Sequence, residues 1–204
     1  MLCYDYMEVS PFLQEQTAAP YLRTLSDAFA RQLTPPKEPL RRAQYLGGHY
    51  LLYKHASRAP RATLYGEQTL LLAYEPHGKP YFPRLPQFAF NITHSQNLVL
   101  LAFALSDPPL RIGADMEAAD AVDLPKAKKL AARFFSAGEQ ARLATVPDAA
   151  YVETFLRLWT QKEACLKCSG QGLRALPHTE GKSDLSLTLE DACKRRYYVS
   201  ICKG

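Results

Sequence analysis

The stretch Phe155–Leu173, FLRLWTQKEACLKCSGQGL, decides how the chain is read. Tyr151–Ser169 reads as one long helix, and it places Glu163 and Lys167 four residues apart, on one face, with Lys162 beside them. Trp159 falls one turn earlier, and the glycine-rich end offers a helix stop and a sharp turn. A surface salt bridge would explain Glu163 and Lys167 equally well. A carboxylate beside two ammonium groups also suits a metal-bound phosphate, the Glu holding the ion and the Lys neutralising oxygens.

Working back along the chain, RIGADME at 111–117 reads as a strand. Residues two apart on a strand share a face, so Asp115 and Glu117 project together. Two adjacent carboxylates repel unless a cation joins them. Hard oxygen ligands suit Mg²⁺, while a solvated strand edge is the plain alternative. Further back, FNITHS at 90–95 ends a strand on Thr93, His94 and Ser95, where His94 could donate to a phosphate oxygen or serve as a structural histidine. HGKPYF at 77–82 places Gly78, Lys79 and Pro80 at a turn. Arg42, with Arg41 and Lys37 nearby, opens a helix.

Composition sets the bounds. The chain has 204 residues, 47% hydrophobic and 22% charged, which fits a folded globular protein rather than a disordered one. Net charge is +5, shared as +3 before Ser106 and +2 from there on, so there is no basic tail. No G-x-S-x-G, G-x-G-x-x-G or P-loop pattern occurs. A nucleic-acid module would rest on the mild charge and on Lys126, Lys128, Lys129 and Arg133 alone, without interleaved aromatics. The first ten residues lack a basic segment followed by an apolar one, and the longest apolar run, Leu98–Leu105, is too short to span a bilayer. A cytoplasmic protein with reduced thiols is expected from five cysteines. Cys165-x-x-Cys168 lacks the second pair that a zinc site needs, since Cys193 and Cys202 are widely spaced.

Strand-like and helix-like segments alternate through both halves, which predicts a mixed α/β (α+β) chain. The segment 63–82 reads as strand, turn, strand, and Ala18–Leu33 as one helix-like stretch. The seam is expected at SDPPL, Ser106–Leu110, dividing an N-terminal subdomain 1–106 from a C-terminal subdomain 107–204. Ser136, with Glu139 three residues on, has capping-box spacing.

Taken together and in this order, GKP, FNITHS, IGADME, RFFSAGE and WTQKEACLKCSGQGL resemble the 4′-phosphopantetheinyl transferases of the two-subdomain, surfactin-synthetase-activating (Sfp-like) type. The resemblance covers roughly Arg41 to Leu173. It implies two similar α/β subdomains related by a pseudo-twofold axis, acting as a monomer, with coenzyme A between them. It implies Mg²⁺-dependent (Mn²⁺ also serving) transfer of phosphopantetheine to a Ser of an apo acyl or peptidyl carrier protein, with no nucleic-acid or membrane partner. A non-catalytic coenzyme A-binding regulator on the same fold is the alternative.

Residue by residue, the resemblance makes Asp115, Glu117 and Glu163 the metal ligands. It makes Lys167, with Lys162 nearby, the pyrophosphate cation, and Thr93 and His94 a pyrophosphate-side pair. Gly78, Lys79 and Pro80 fall beside the adenine, and Arg42 meets the 3′-phosphate. Glu163 or Glu139, or a metal-bound water, takes the Ser proton. Gln96 stands where many members carry Gly. The basic helix bearing Lys126–Arg133 is a candidate docking surface for an acidic carrier.

Overall fold

A computed structural model describes residues 1–171, 179 and 181–204. The closing Gly172-Leu173 of the helix motif therefore lies outside the described residues. The chain divides into two compact units, Met1–Arg111 and Ile112–Gly204.

In the first unit, β1 (Leu2–Glu8) leads to two short helices, α1 (Glu15–Leu22) and α2 (Asp27–Arg31). The Ser26 side chain caps α2 by accepting from the Phe29 N–H, which splits the stretch read as one helix. Next comes α3 (Pro39–Ala56), started by Pro39 and by the Glu38 carboxylate, which accepts from the N–H groups of Leu40 and Arg41. After α4 (Pro60–Tyr65), the chain makes a 3-10 turn over Glu67–Leu70. Only two-residue strands, β2 (Ala73–Tyr74) and β3 (Pro80–Tyr81), then flank the turn at Gly78. The expected long strand before this turn is thus replaced by helix. Pro60 presets the helical φ at its start, and Gly66, at φ +77°, ends it.

The hairpin β4 (Phe88–Ser95) and β5 (Leu98–Leu105) completes a three-stranded antiparallel sheet in the order β1-β5-β4. Helix α3 lies close to this sheet because of Gly47 and Gly48. A Cβ at 48 would sit 2.7 Å from Ile92 Cγ2, and one at 47 would sit 3.2 Å from Val99 Cγ1. The glycine pair that weakens α3 as an isolated helix is what lets it pack. Phe12, Phe29, Leu52, Phe82, Phe90 and Leu101 are among the buried core of this unit.

The second unit repeats the wiring. Strand β6 (Ile112–Ala118) is followed by α5 (Leu124–Phe134), α6 (Ala137–Ala144) and the long α7 (Asp148–Ser169), then β7 (Leu185–Glu190) and β8 (Arg196–Lys203). The sheet order is β6-β8-β7. In each unit the first strand pairs with the last, and the last pairs with the middle one. The chain is therefore mixed α/β with two sheet-containing regions of like topology.

Asp123 caps α5 by accepting from the Lys126 N–H at 2.8 Å. Ser136 and Glu139 form the full capping box at α6. Helix α7 ends at Gly170, in the left-handed region at φ +73°, whose N–H reaches the Leu166 carbonyl at 2.9 Å. Its aromatic face packs Trp159 and Phe155 against Phe135, so Trp159 belongs to the core of this unit.

A carboxylate–lysine cluster where α7 crosses β6

Gly113, Asp115 and Glu117 alternate along β6 and share one strand face. Gly113 is where α7 comes nearest. A Cβ there would run into the Ala164 carbonyl oxygen and the Cys168 backbone nitrogen. These two residues neighbour Glu163 and Lys167 on the helix. The close approach that only glycine permits thus sets the helix residues over the strand carboxylates.

The result is a dense charge cluster. Lys167 Nζ donates to Asp115 Oδ1 at 2.5 Å, with the Asp115 side chain 8% and the Lys167 side chain 34% exposed. Burial pulls the Lys167 ammonium down, but Asp115, Glu163 and Glu117 outweigh it, and the net shift is upward. Glu163 is partly buried. Burial first, and the negative charge of Asp115 second, push its carboxyl above the usual range, with Lys167 opposing them. Asp115 Oδ2 is buried without a hydrogen-bond partner.

Among the described residues, no three His, Cys, Asp or Glu side chains are already drawn together as a closed metal site. The chemistry of the donor set nevertheless fits a hard divalent cation. All three groups are carboxylates, a single ammonium offsets only part of their charge, and a buried oxygen of Asp115 has an unused lone-pair face.

Lys162 is placed differently from the expectation that it stands beside Lys167. It is fully buried, and its ammonium donates to Glu139 Oε2 at 2.9 Å, Glu139 Oε1 at 3.2 Å and the Thr179 carbonyl at 2.5 Å. It also lies 5.7 Å from the centre of the Phe135 ring. Its neighbour Glu163 faces the cluster while Lys162 points into the unit, because adjacent helix residues are turned by about 100°. Glu139 is equally committed, since Oε2 also accepts from the Ser136 N–H at 2.8 Å. Lys162 and Glu139 form an internal strut between α6 and α7.

The remaining candidates lie in the first unit. His94 is exposed near the end of β4, and Thr93 is buried on the opposite face. Gly78 sits at φ +82° in the β2–β3 turn, closed by Gly78 N–H to Glu75 O at 2.8 Å and Glu75 N–H to Lys79 O at 2.9 Å. Pro80 opens β3, and Lys79 is half-buried. Arg42 is exposed in the first turn of α3. Gln96 adopts φ +47° in the two-residue turn joining β4 to β5, a conformation suited to glycine. Its carbonyl is held by the Gln44 amide at 2.8 Å.

Sequence reasoning missed Gly113 as a site determinant. The signal was present in G-x-D-x-E, because a glycine on the carboxylate face of a strand marks a close backbone approach.

Comparison with known proteins gives the same direction. A model of the 4′-phosphopantetheinyl transferase superfamily matches residues 111–203. The transferase AcpT of Escherichia coli K12 is 33% identical over 170 residues, covering 82% of this chain and 77% of its own. The chain belongs to the 4′-phosphopantetheinyl transferase superfamily. Two further superfamily relatives are psf-1 of Bacillus pumilus and Sfp of Bacillus subtilis strain 168. They are 35% and 36% identical over 106 and 119 residues, or 52% and 54% of this chain. These matches span 42% and 49% of those two transferases, under half their length. Relatives of both the AcpT and the Sfp kinds occur, so membership stands at the superfamily and does not select the Sfp-like type. No helix among the described residues is long and apolar enough to cross a membrane.

Proposed function

We propose that the protein transfers the 4′-phosphopantetheine group of coenzyme A to a Ser hydroxyl of an apo acyl or peptidyl carrier protein, in the presence of Mg²⁺. The observation that carries this reading is the Asp115–Glu117–Glu163 set gathered around Lys167, with a buried unpartnered oxygen, in a chain of this superfamily. Adenosine 3′,5′-bisphosphate is the leaving product.

Asp115, Glu117 and Glu163 would hold the metal. When bound, Mg²⁺ supplies charge neutralisation at the pyrophosphate. Lys167 holds its proton firmly among the carboxylates, so it presents a fixed positive charge to phosphate oxygens. Transfer of this kind depends on positioning and charge more than on covalent help.

Two carboxylates of the chain compete as acceptor of the Ser proton. Glu139 has both oxygens engaged by Lys162 and the Ser136 N–H. Glu163 lies instead in the carboxylate–lysine cluster beside Asp115 and Lys167, where one of its oxygens can hold the metal and the other accept a proton. We therefore assign proton acceptance to Glu163 and a structural role to the Lys162–Glu139 pair. Thr93, His94, Arg42 and the Gly78–Pro80 turn are assigned to coenzyme A contacts on the family pattern.

Intact-mass spectrometry of apo carrier proteins incubated with this protein, coenzyme A and Mg²⁺ tests the proposal. A phosphopantetheine-sized mass gain that EDTA abolishes is expected. Coenzyme A binding without any gain would point instead to a coenzyme A-binding regulator.

A further inference from the structure

Cys202 on β8 is far in sequence from Cys165 and Cys168 on α7, but the three sulfurs gather at one point. Cys165 Sγ lies 3.5 Å from Cys202 Sγ and 3.1 Å from the Lys182 carbonyl oxygen. Cys168 is the third sulfur against Cys202, and all three are thiols. Cys202 is the β8 partner of Gly113, so the cluster lies at the point where α7 presses on the β6–β8 ladder.

We propose that Cys165 and Cys202 form a reversible disulfide when the protein meets a hydroperoxide. Both residues are half-buried, open enough for a small oxidant, whereas Cys168 is buried. A sulfur pair at 3.5 Å needs to close by roughly 1.5 Å to reach bonding distance. Cys165 and Cys168 stand one helical turn apart, and a bridge between them would deform the helix that carries both.

Cys165, whose sulfur reaches the Lys182 carbonyl on the exposed side of the cluster, meets the oxidant first, and Cys202 at 3.5 Å resolves it. One peroxide oxidises Cys165 to the sulfenic acid and is itself reduced to water. The Cys202 sulfur then attacks Cys165 Sγ; its proton and the displaced hydroxide leave as a second water. The bridge would tie α7 to β8 across about 37 residues of chain, two positions from Glu163.

The test uses the full chain with Cys193→Ser, which removes the exposed thiol. After hydrogen peroxide treatment and digestion without reductant, we expect one peptide pair joined through Cys165 and Cys202. The intact mass should fall by about 2 Da, with the thermal midpoint raised by roughly 5–15 °C. Dithiothreitol should reverse both changes. Cys168→Ala should retain the bridge, while Cys165→Ser and Cys202→Ser should each lose it. The proposal is overturned if all thiols remain titratable, if another pair is joined, or if Cys165 accumulates as sulfinic acid with no bridge.

Discussion

Replacing Gly113 with Ala adds one methyl group at the crossing of β6 and α7. The Cβ would overlap the Ala164 carbonyl oxygen and the Cys168 nitrogen, and would lie 2.8 Å from Cys168 Cα. All three are backbone atoms, so no rotamer change can relieve the overlap. Carbon atoms rest about 3.5–4.0 Å apart, so the helix must retreat by roughly 1 Å. Overpacking of a tight core costs about 1–3 kcal/mol, and a backbone collision belongs at the upper end.

For a chain of this length, about 3 kcal/mol lowers the thermal midpoint by roughly 6–12 °C. The control is Gly138→Ala in α6, where an added Cβ meets nothing within 4 Å. The same chemical change there should stabilise by about 0.5–1 kcal/mol, because Ala favours helix. Differential scanning fluorimetry of the two variants gives the answer directly. The reasoning is refuted if Gly113→Ala melts within about 1 °C of the parent protein. On the proposed function, a helix displaced by about 1 Å should also cost up to ~100-fold in transfer rate.

Three further outcomes are expected. Lys162→Met should destabilise by about 3–5 kcal/mol in denaturant unfolding, because it strands the Glu139 carboxylate; adding Glu139→Gln should recover most of the loss. Millimolar Mg²⁺ should raise the thermal midpoint of the parent protein, by about 2.7 kcal/mol of stability at a hundred times its Kd. Asp115→Asn should show no such rise, and equal rises would remove Asp115 from the metal assignment. Glu163 has a folded-state pKa above its ordinary 4.5, so the folded state binds the extra proton. Its contribution to stability is therefore full below that pH and is lost as pH rises through the folded value. In EDTA, the stability of Glu163→Gln relative to the parent should improve from pH 4 to pH 7; an unchanged difference would contradict the shift.

The order of motifs along the chain was legible because each rests on local chemistry. Alternation in GADME fixes a strand with its carboxylates on one face. The capping box at Ser136 and Glu139 and the run of α7 follow from spacing alone, and both match the structure. The 63–82 region reads as strand because its apolar residues suggest a buried face, yet Leu64 and Tyr65 are exposed at the end of α4, and only Thr69 and Leu70 of the 3-10 turn are buried before the short strands. Gly47 and Gly48 disfavour a helix by local propensity, and only the sheet beneath them explains their use.

By itself, then, the sequence determined which residues carry charge, which share a face, and where the capping box opens α6. These depend on neighbours three or four positions away. Only the tertiary structure decided that Gly113 sets the depth of α7, that Lys162 serves Glu139 while Lys167 serves Asp115, and that Cys202 meets the two thiols of α7. Those outcomes depend on which face of one element packs against another, and pairing across dozens of residues leaves no mark in local spacing.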